Sequence, residues 1–388
     1  MRDAATGPEV GRWPTGRQAD LIVAATAKDR RAAAAWQRWQ GGGGDLQRLD
    51  AASSRLLPLL WSNRRAANIE AEALMLLKGC YRHSLWMTHR TLAGGVAALD
   101  TLEATGIPTL VLKGTAILAR FPGQVGVRPI NDVDILVRRA DASRALAALE
   151  QDGWRPVNPT QRPIGVWHAV DLVRTAGERI DLHWSATVVP GDDRAIWREA
   201  QSGHVAGRPV KVPSATAQLL VTCVHGLGPD PAPVRWIADA LLILEGDETI
   251  DWPALVGEAR RRGVGIALSA ALSGLRSQFD ADVPASVPRQ LAGWPARVLE
   301  RLAHRAAGRT GRGSVYAVEL HRYRRLRAIN DSDRAHTFVS HCARRWGFES
   351  STSLVRAGVR RAGQLARYGR AATWADLAQR EGIKPPAR

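Results

Sequence analysis

Two acidic residues stand one position apart at the head of an apolar, β-branched run, Asn131-Asp132-Val133-Asp134-Ile135-Leu136-Val137. Residues i and i+2 of a β-strand point to the same face of a sheet, so Asp132 and Asp134 project together while the apolar residues face the other way. Two neighbouring carboxylates offer hard oxygen ligands, which suit Mg²⁺. The run therefore predicts a strand-borne cation site, provided that a third acid reaches it.

The third acid lies in the segment Ile180-Asp181-Leu182-His183-Trp184. Alternation of apolar and polar residues predicts a strand with Asp181 and His183 on one face. If the two strands are neighbours, Asp181 faces the same cleft as Asp132 and Asp134, although the sequence alone does not place the strands side by side. A single histidine is more often packed or hydrogen-bonded than catalytic, so His183 is left outside the predicted catalytic core.

A strand, a turn and a helix precede the acids. Residues 109–112 predict a short strand that ends in Lys113-Gly114-Thr115, and a helix follows to residue 121. Gly114 permits close approach of a ligand to the backbone, and Thr115 lies where a helix N-terminus favours an anion. Lys113 offers a point charge to a phosphate, or is an ordinary solvated turn residue.

Composition divides the chain into segments with different structures. Residues 106–190 predict a small α/β unit with a mixed sheet, in which a helix over 142–151 is followed by strands over 154–157, 165–174 and 179–186. Helices are predicted over 17–39, 46–105, 215–224, 234–244 and 252–262. The expected organisation is a disordered tail (1–16), an N-terminal helical region (17–105), the α/β core (106–190), a helical region packing on the core (191–300) and a basic helical C-terminal region (301–388).

Bulk composition predicts a soluble globular protein. The chain has 388 residues, 45% of them hydrophobic, and its apolar stretches are far shorter than a membrane span. The N-terminus lacks the basic and apolar regions of a signal peptide, so cytoplasmic localisation is expected, with no membrane partner. Three widely separated cysteines, Cys80, Cys223 and Cys342, predict inert thiols rather than a zinc site or a disulfide framework.

Positive charge is concentrated at the C-terminal end. The formal net charge is +17, and residues 301–388 hold 19 basic against 6 acidic residues. Such a surface could attract RNA, DNA or nucleotide phosphates. Only five of the 54 basic residues are lysine, however, and this skew equally indicates a GC-rich genome that favours arginine codons.

Several motifs together carry a family resemblance. They are Leu112-Lys113-Gly114-Thr115-Ala116, Arg128 ahead of the Asn131 to Val137 run, Gly153-Trp154, Ile180 to Trp184, Val212-Pro213-Ser214, His225, Arg235-Trp236-Ile237-Ala238-Asp239 and Ile250-Asp251-Trp252. This combination resembles the DNA polymerase β-like nucleotidyltransferase superfamily, and within it the bacterial family of uncharacterised nucleotidyltransferases. The resemblance covers about residues 105–262.

The resemblance implies an α+β, mostly α fold, with a small mixed-sheet nucleotidyltransferase core flanked by helical regions. It implies an enzyme that moves a nucleoside monophosphate from a nucleoside triphosphate (NTP) to an acceptor and releases pyrophosphate. Asp132, Asp134 and Asp181 would be the catalytic residues and the ligands of Mg²⁺, with two ions expected, and Asp181 would also help to remove the acceptor's proton. The acceptor is left open among RNA, a protein or peptide, and a small molecule.

The nucleotide-binding residues implied by the resemblance are Lys113, Gly114, Thr115 and Arg128. The superfamily's usual turn is Gly-Ser, so the Lys-Gly-Thr turn leaves its binding geometry open. Arg128 would neutralise the leaving pyrophosphate, or is an ordinary surface arginine of a loop rich in proline and glycine. His225 and Asp239 are explained equally well by helix packing or capping and by substrate contact.

A competing hypothesis keeps the fold without the activity. The chain could be a catalytically weak scaffold, or a nucleic-acid-binding protein that uses the basic C-terminal helices, with the altered turn as a sign of decay. All three acids are present, which favours the enzyme because decayed sites usually lose a metal ligand.

Overall fold

The computed structural model describes residues 13–158, 164–175, 177–227, 233–293, 298–306, 312–329 and 337–368. The N-terminal part is helical, as its composition predicts. Its helices are α1 (Gly16–Thr26), α2 (Arg30–Gly41), α3 (Leu57–Ser62) and α4 (Ala71–Ala104). The predicted helix over 17–39 is divided because Asp29 caps α2 with its side chain. The predicted helix over 46–105 is interrupted by two 3₁₀ turns, Leu46–Arg48 and Ser53–Leu56.

The start of the described chain is packed against the protein body. Residues 1–12 of the predicted tail lie outside the described residues. Trp13 meets Trp236 edge-on, with 5.6 Å between the ring centroids, and its ring also lies directly on Gly274, where a Cβ would overlap it. Thr15 then caps α1 in a capping box with Gln18. Ordered structure thus begins earlier than the expected boundary at residue 16.

A five-stranded mixed sheet forms the centre of the α/β unit. Its strands are β1 (Thr109–Val111), β2 (Val133–Val137), β3 (Arg155–Pro156), β4 (Ala169–Val173) and β5 (Arg179–His183), in the order β1-β2-β5-β4-β3. Helix α5 (Lys113–Arg120) follows β1, and α6 (Ala142–Gln151) follows β2. Only β2 and β5 run parallel, and the other neighbours are antiparallel. The predicted mixed sheet and the α+β class are confirmed.

The side chains of β2 alternate between the two faces of the sheet, as the sequence pattern predicts. Val133, Ile135 and Val137 are buried in one hydrophobic core beneath α4 and α6, whereas Asp134 is buried on the other face. The β2–β5 pairing places Asp134 directly beside Asp181. The adjacency that the sequence left open is therefore present in the fold.

A second hairpin interrupts the region over 191–300 that was predicted to be helical. After the short helix α7 (Arg194–Arg198), strands β6 (Gln201–Val205) and β7 (Arg208–Val212) pair antiparallel. Their two-residue turn, Ala206-Gly207, has positive φ at both positions, as a tight hairpin requires. The prediction was wrong here because Ala-Gly lacks the Asn-Gly or Asp-Gly signature and because exposed polar residues blur the apolar alternation.

The remainder of the described chain is helical. Its helices are α8 (Ala215–Gly226), α9 (Pro233–Leu244), α10 (Trp252–Arg262), α11 (Gly265–Phe279), α12 (Ser286–Gly293), α13 (Val298–Ala306), α14 (Arg312–Ile329), α15 (Phe338–Arg345) and α16 (Ser351–Tyr368). Helices that precede the sheet in the sequence and helices that follow it share the largest hydrophobic core. In this core Leu21 and Trp36 pack together with Leu219, Ile237 and Leu268. No helix in the described part of the chain is both long and apolar enough to cross a membrane.

Part of the C-terminal positive charge is structural. Glu319 of α14 is buried and accepts hydrogen bonds from the guanidinium groups of Arg322 and Arg345. His341, also buried, lies 3.1 Å from the other carboxylate oxygen of Glu319. Arg345 additionally stacks on Trp167, with its Cζ 3.4 Å from the ring centroid. Arg345 therefore joins α15 to α14 and to Trp167, just ahead of β4, whereas the Arg322 pair lies within α14. Residues 369–388 of the basic region lie outside the described residues.

Candidate active site

The parallel strands bring two acids and two basic side chains into one cluster. Nζ of Lys113 lies 2.7 Å from Oδ1 of Asp134 and 3.6 Å from Oδ2 of Asp181. Nε2 of His183 lies 2.8 Å from Oδ2 of Asp181 and 3.1 Å from Oδ1 of Asp134. Ligand atoms of Asp134, Asp181 and His183 all fall within 4.8 Å of one another. The structure thus adds His183, which sequence reasoning left aside, to the acids.

Lys113 adopts a strained backbone conformation at the start of α5. Its φ is +45°, in the left-handed region that residues other than glycine rarely adopt. Its carbonyl oxygen accepts a hydrogen bond of 3.1 Å from Nε2 of Gln218, a fully buried residue of α8. The Lys113 side chain is only 17% exposed. It is therefore a buried partner of the acids rather than a solvated turn residue.

The opposite charges of the cluster's members determine which of its groups are ionised. Burial alone would raise the pKa of Asp134, but the Lys113 ammonium and His183 outweigh it and lower that pKa to about 2. The same partners lower the pKa of Asp181 against its burial. Burial would lower the pKa of His183, but the Asp181 carboxylate raises it to about 9. At neutral pH the cluster is thus an ionised network with both signs of charge.

Asp132 differs from the other two acids. It stands just before β2, and burial together with the nearby Asp134 carboxylate raises its pKa to about 6, against weaker lowering by Lys113 and Arg235. The described residues give it no hydrogen bond or ion pair. Its carboxylate is consequently the least compensated negative charge of the three predicted ligands.

All three acids line one pocket of about 330 Å³. One wall is formed by the ends of β2 and β5 and the Lys113-Gly114 turn, and the other by α8 and α9. Among the side chains of the helical wall are Thr222, His225 and Arg235. Burial, followed by the Lys113 charge, lowers the pKa of His225 to about 3, so this imidazole is neutral at physiological pH. The pocket volume lies in the range of small-ligand sites.

Arg128 lines this pocket but is held by a buried ion pair. Its Nε and Nη2 donate hydrogen bonds of 2.8 and 2.7 Å to the two carboxylate oxygens of Asp239 on α9. The guanidinium lies directly over Gly114, where a Cβ would overlap it. This fork explains Asp239, whose role the sequence left open, and explains why position 114 is glycine. Arg128 as a pyrophosphate ligand stays a prediction.

Arg235 is a second arginine of the pocket, and the described part of the chain shows no acid paired with it. Among the described residues its hydrogen bond is to the carbonyl oxygen of Pro129, at 3.3 Å. Burial, together with the repulsion of Arg128, lowers its pKa to about 10, so the guanidinium remains charged at neutral pH. In the sequence, Arg235 was recognised only as part of a family motif. Its candidacy as an anion ligand follows from its position, facing the acids across the pocket.

The Thr115 side chain points away from the pocket. It is fully buried, and its hydroxyl has no hydrogen-bond partner among the described residues. The described lining of the pocket includes Lys113 and Gly114 but not Thr115. Thr115 is the third residue of α5 and its side chain is buried in the core, so a nucleotide contact through its backbone stays a prediction.

A larger cavity, of about 1330 Å³, lies beyond the opposite end of β2. Its acids are neutralised by arginines: Asp192 pairs with Arg194, while Asp193 and Glu258 pair with Arg262. Among the described residues, the one group of acids and histidine close enough to share a metal ion is Asp134, Asp181 and His183, so the smaller pocket is the candidate active site.

The pocket lies within a segment that matches a known protein family. The family of uncharacterised nucleotidyltransferases matches residues 47–280, more than half of the chain. No curated protein matches. Similar solved structures include a solution structure of the antibiotic-resistance factor ANT(2″)-Ia, which is 19% identical with a TM-score of 0.30 over 50% of this chain and 95% of that one. A crystal structure of ANT(2″)-Ia with adenylyl-2″-tobramycin is 17% identical with a TM-score of 0.27, over 47% and 94% of the two chains. The chain belongs to the family of uncharacterised nucleotidyltransferases.

Proposed function

We propose that the chain is a Mg²⁺-dependent enzyme that transfers a nucleoside monophosphate from an NTP to an acceptor and releases pyrophosphate. The observation that carries this proposal is the register pairing of Asp134 with Asp181 on parallel strands, at the wall of a pocket that also holds Asp132 and Arg235. Such a pocket presents carboxylates for a cation and a guanidinium for phosphate oxygens within one small volume.

The residues fit a divalent cation. Asp132, Asp134 and Asp181 would hold it, and each offers the hard oxygen ligands that Mg²⁺ prefers. The Lys113 ammonium lies against Asp134 and Asp181, so these carboxylates already stabilise one positive group. When bound, Mg²⁺ relieves the negative charge of the phosphate oxygens and of the departing pyrophosphate.

The chain's own residues would position the reactants. Arg235 and the backbone at Gly114 hold the phosphates, and Lys113 places positive charge near the reacting phosphate. An acceptor oxygen forms a bond to the α-phosphorus while the bond from that phosphorus to the β-phosphate oxygen breaks, and pyrophosphate leaves with the electron pair. The acceptor's proton passes to Asp181, whose side chain is 22% exposed against 6% for Asp134, and then to solvent.

Asp181 is a weak base, because its pKa is lowered by His183 and Lys113. A weak base suffices here, since the acceptor hydroxyl becomes strongly acidic as its oxygen bonds to phosphorus, and positioning with charge stabilisation carries most of such a reaction. His183 orients the Asp181 carboxylate through the 2.8 Å contact.

The acceptor class is an RNA, a protein or peptide, or a small molecule. The exposed basic residues of the C-terminal helices favour a polyanion such as RNA, but the ion pairs of Arg322 and Arg345 with Glu319 reduce the charge available. The scaffold alternative is weaker, because the three acids are present and line one pocket.

A label-transfer assay tests the proposed function. The protein is incubated with each α-labelled NTP, candidate acceptors and Mg²⁺, and parallel reactions contain a chelator or the Asp132→Asn variant. We expect label on an acceptor only with wild-type protein and Mg²⁺. Label transfer by Asp132→Asn at the wild-type rate would contradict the assignment.

The Asp132→Asn variant should also be more stable than wild type near neutral pH. The folded-state pKa of Asp132, about 6, lies above the model-compound value of 3.8, so ionising this group costs folding free energy. The cost is absent below about pH 3.8, grows up to about pH 6 and persists above it, and asparagine never incurs it. In metal-free buffer, thermal unfolding should therefore show a gain in Tm for Asp132→Asn that is larger at pH 7.5 than at pH 4.5. A gain that shrinks as pH rises would show that Asp132 is stabilised by ionisation instead.

A further inference from the structure

The Lys113 ammonium occupies the space between the two register-paired carboxylates. Its Nζ lies 2.7 Å from Asp134 and 3.6 Å from Asp181, which are distances of direct charge–charge contact. A divalent ion shared by these two carboxylates would need the same space. Two cations so close repel strongly in a partly desolvated site.

Contacts with the rest of the fold hold Lys113 in this position. The left-handed backbone of Lys113 is held by the hydrogen bond from Gln218 to its carbonyl oxygen, and Gln218 is fully buried on α8. A strained residue of this kind persists only where its surroundings determine it. Lys113 leads directly into α5, which is packed between the sheet and the β6–β7 hairpin. The ammonium is therefore carried by a fixed turn rather than by a free surface side chain.

Positive and negative charges balance within the cluster but not at the neighbouring Asp132. The Asp134 and Asp181 carboxylates face the Lys113 ammonium and the His183 imidazole. Asp132 lines the same pocket without an ion pair among the described residues. Negative charge that remains to be neutralised thus lies on the Asp132 side of Asp134.

We propose that Lys113 is a resident cation that replaces one divalent ion at Asp134 and Asp181, so that the chain binds a single divalent ion, with the NTP, at Asp132 and Asp134. This inference rests on the proposed function and departs from the two ions that the family resemblance implies. The ammonium stabilises negative charge on the α-phosphate as the acceptor bond forms, the acceptor's proton still passes to Asp181, and pyrophosphate still leaves with the electron pair of the broken bond. A divalent ion held by Asp132 and Asp134 would relieve the charge of the triphosphate.

Counting bound Mn²⁺ tests the inference without any turnover. Mn²⁺ is titrated into the full chain in the presence of a non-hydrolysable NTP analogue, and bound ions are counted by electron paramagnetic resonance. We expect one Mn²⁺ per chain for wild type, with the spectrum of an isolated ion. In Lys113→Met, which removes the charge at similar length, we expect the count to rise to two, with spin coupling between ions about 4 Å apart.

Each other outcome has a distinct meaning. Two coupled Mn²⁺ ions in wild type would overturn the inference and leave the proposed function standing. A count of one in both proteins would also overturn it, because Lys113 would not be what excludes the second ion. Failure of wild type to bind either Mn²⁺ or the nucleotide analogue would overturn the proposed function itself. A wild-type count of two overturns the inference whether or not Lys113→Met folds, and Lys113→Gln repeats the comparison if the methionine variant does not fold.

Discussion

Replacing Asp134 by asparagine is expected to abolish Mg²⁺-dependent NTP binding and to lower nucleotidyl transfer by about 10³-fold, as expected for loss of a principal electrostatic group. Asp134 is the acid that contacts Lys113 and His183 and pairs in register with Asp181. Asparagine keeps the shape but removes the charge on which the cation depends. Calorimetric titration with a non-hydrolysable NTP, with and without Mg²⁺, measures the effect, and thermal unfolding checks that the variant is folded.

Asp171→Asn is a matched control for this variant. Asp171 is the register partner of Asp181 on the other side, in β4, where it pairs with Arg179 and is not among the described lining residues of the pocket. We expect it to bind NTP as wild type does. Mg²⁺-dependent binding that survives in Asp134→Asn would contradict the account, and salt-sensitive RNA binding that ignores both substitutions would favour the scaffold hypothesis.

Replacing Asp239 by asparagine is expected to destabilise the chain by about 3–5 kcal/mol, the usual cost of leaving one partner of a buried ion pair alone. The two-pronged Arg128–Asp239 contact is almost completely buried, and Arg128 in turn lies over Gly114 of the phosphate-side turn. Urea unfolding measures the change in free energy. NTP affinity should fall with it, because the Arg128 guanidinium loses its fixed position on the turn.

Two further variants show whether that loss of stability comes from the buried ion pair. Asp152→Asn breaks an ion pair with Arg174 that is about one third exposed, and it should cost no more than about 1 kcal/mol. The double variant Arg128→Met with Asp239→Leu removes both charges and should recover much of the lost stability, because apolar replacements of similar size avoid a lone buried charge. If Asp239→Asn costs no more than Asp152→Asn, the buried pair does not hold the turn.

Local sequence patterns were sufficient for much of the fold. The helices Ala142–Gln151 and Trp252–Arg262 have the predicted bounds. The side chain of Asp251 caps the second helix, which has a proline in its first turn and ends at a glycine, whereas Asp141 precedes the first helix without a side-chain capping hydrogen bond. The strand that carries Asp134 begins at Val133, one residue after the predicted Asp132, and the strand that carries Asp181 begins at Arg179 as predicted but ends at His183 instead of residue 186. The predicted nucleotidyltransferase identity is confirmed by the family match.

Tertiary contacts account for what the sequence did not predict. Arg128 and Asp239 are 111 positions apart, so no local pattern links them. The orientation of Lys113 toward the acids depends on Gln218, which lies 105 positions away. His183 could be assigned to the face of Asp181, but its contact with Asp134 exists only because β2 and β5 are neighbours. Alternation along a strand predicts on which face of the sheet a side chain lies, whereas its contact partners depend on how distant elements pack together.

The most direct test of the central claim is an experimental structure of the chain with a non-hydrolysable NTP and Mg²⁺. We expect the triphosphate to lie in the pocket between Asp132 and Arg235, with metal density at Asp132 and Asp134. Nucleotide density far from Asp132, for example in the larger cavity beyond Val137, would contradict the assignment of this pocket as the nucleotidyl-transfer site.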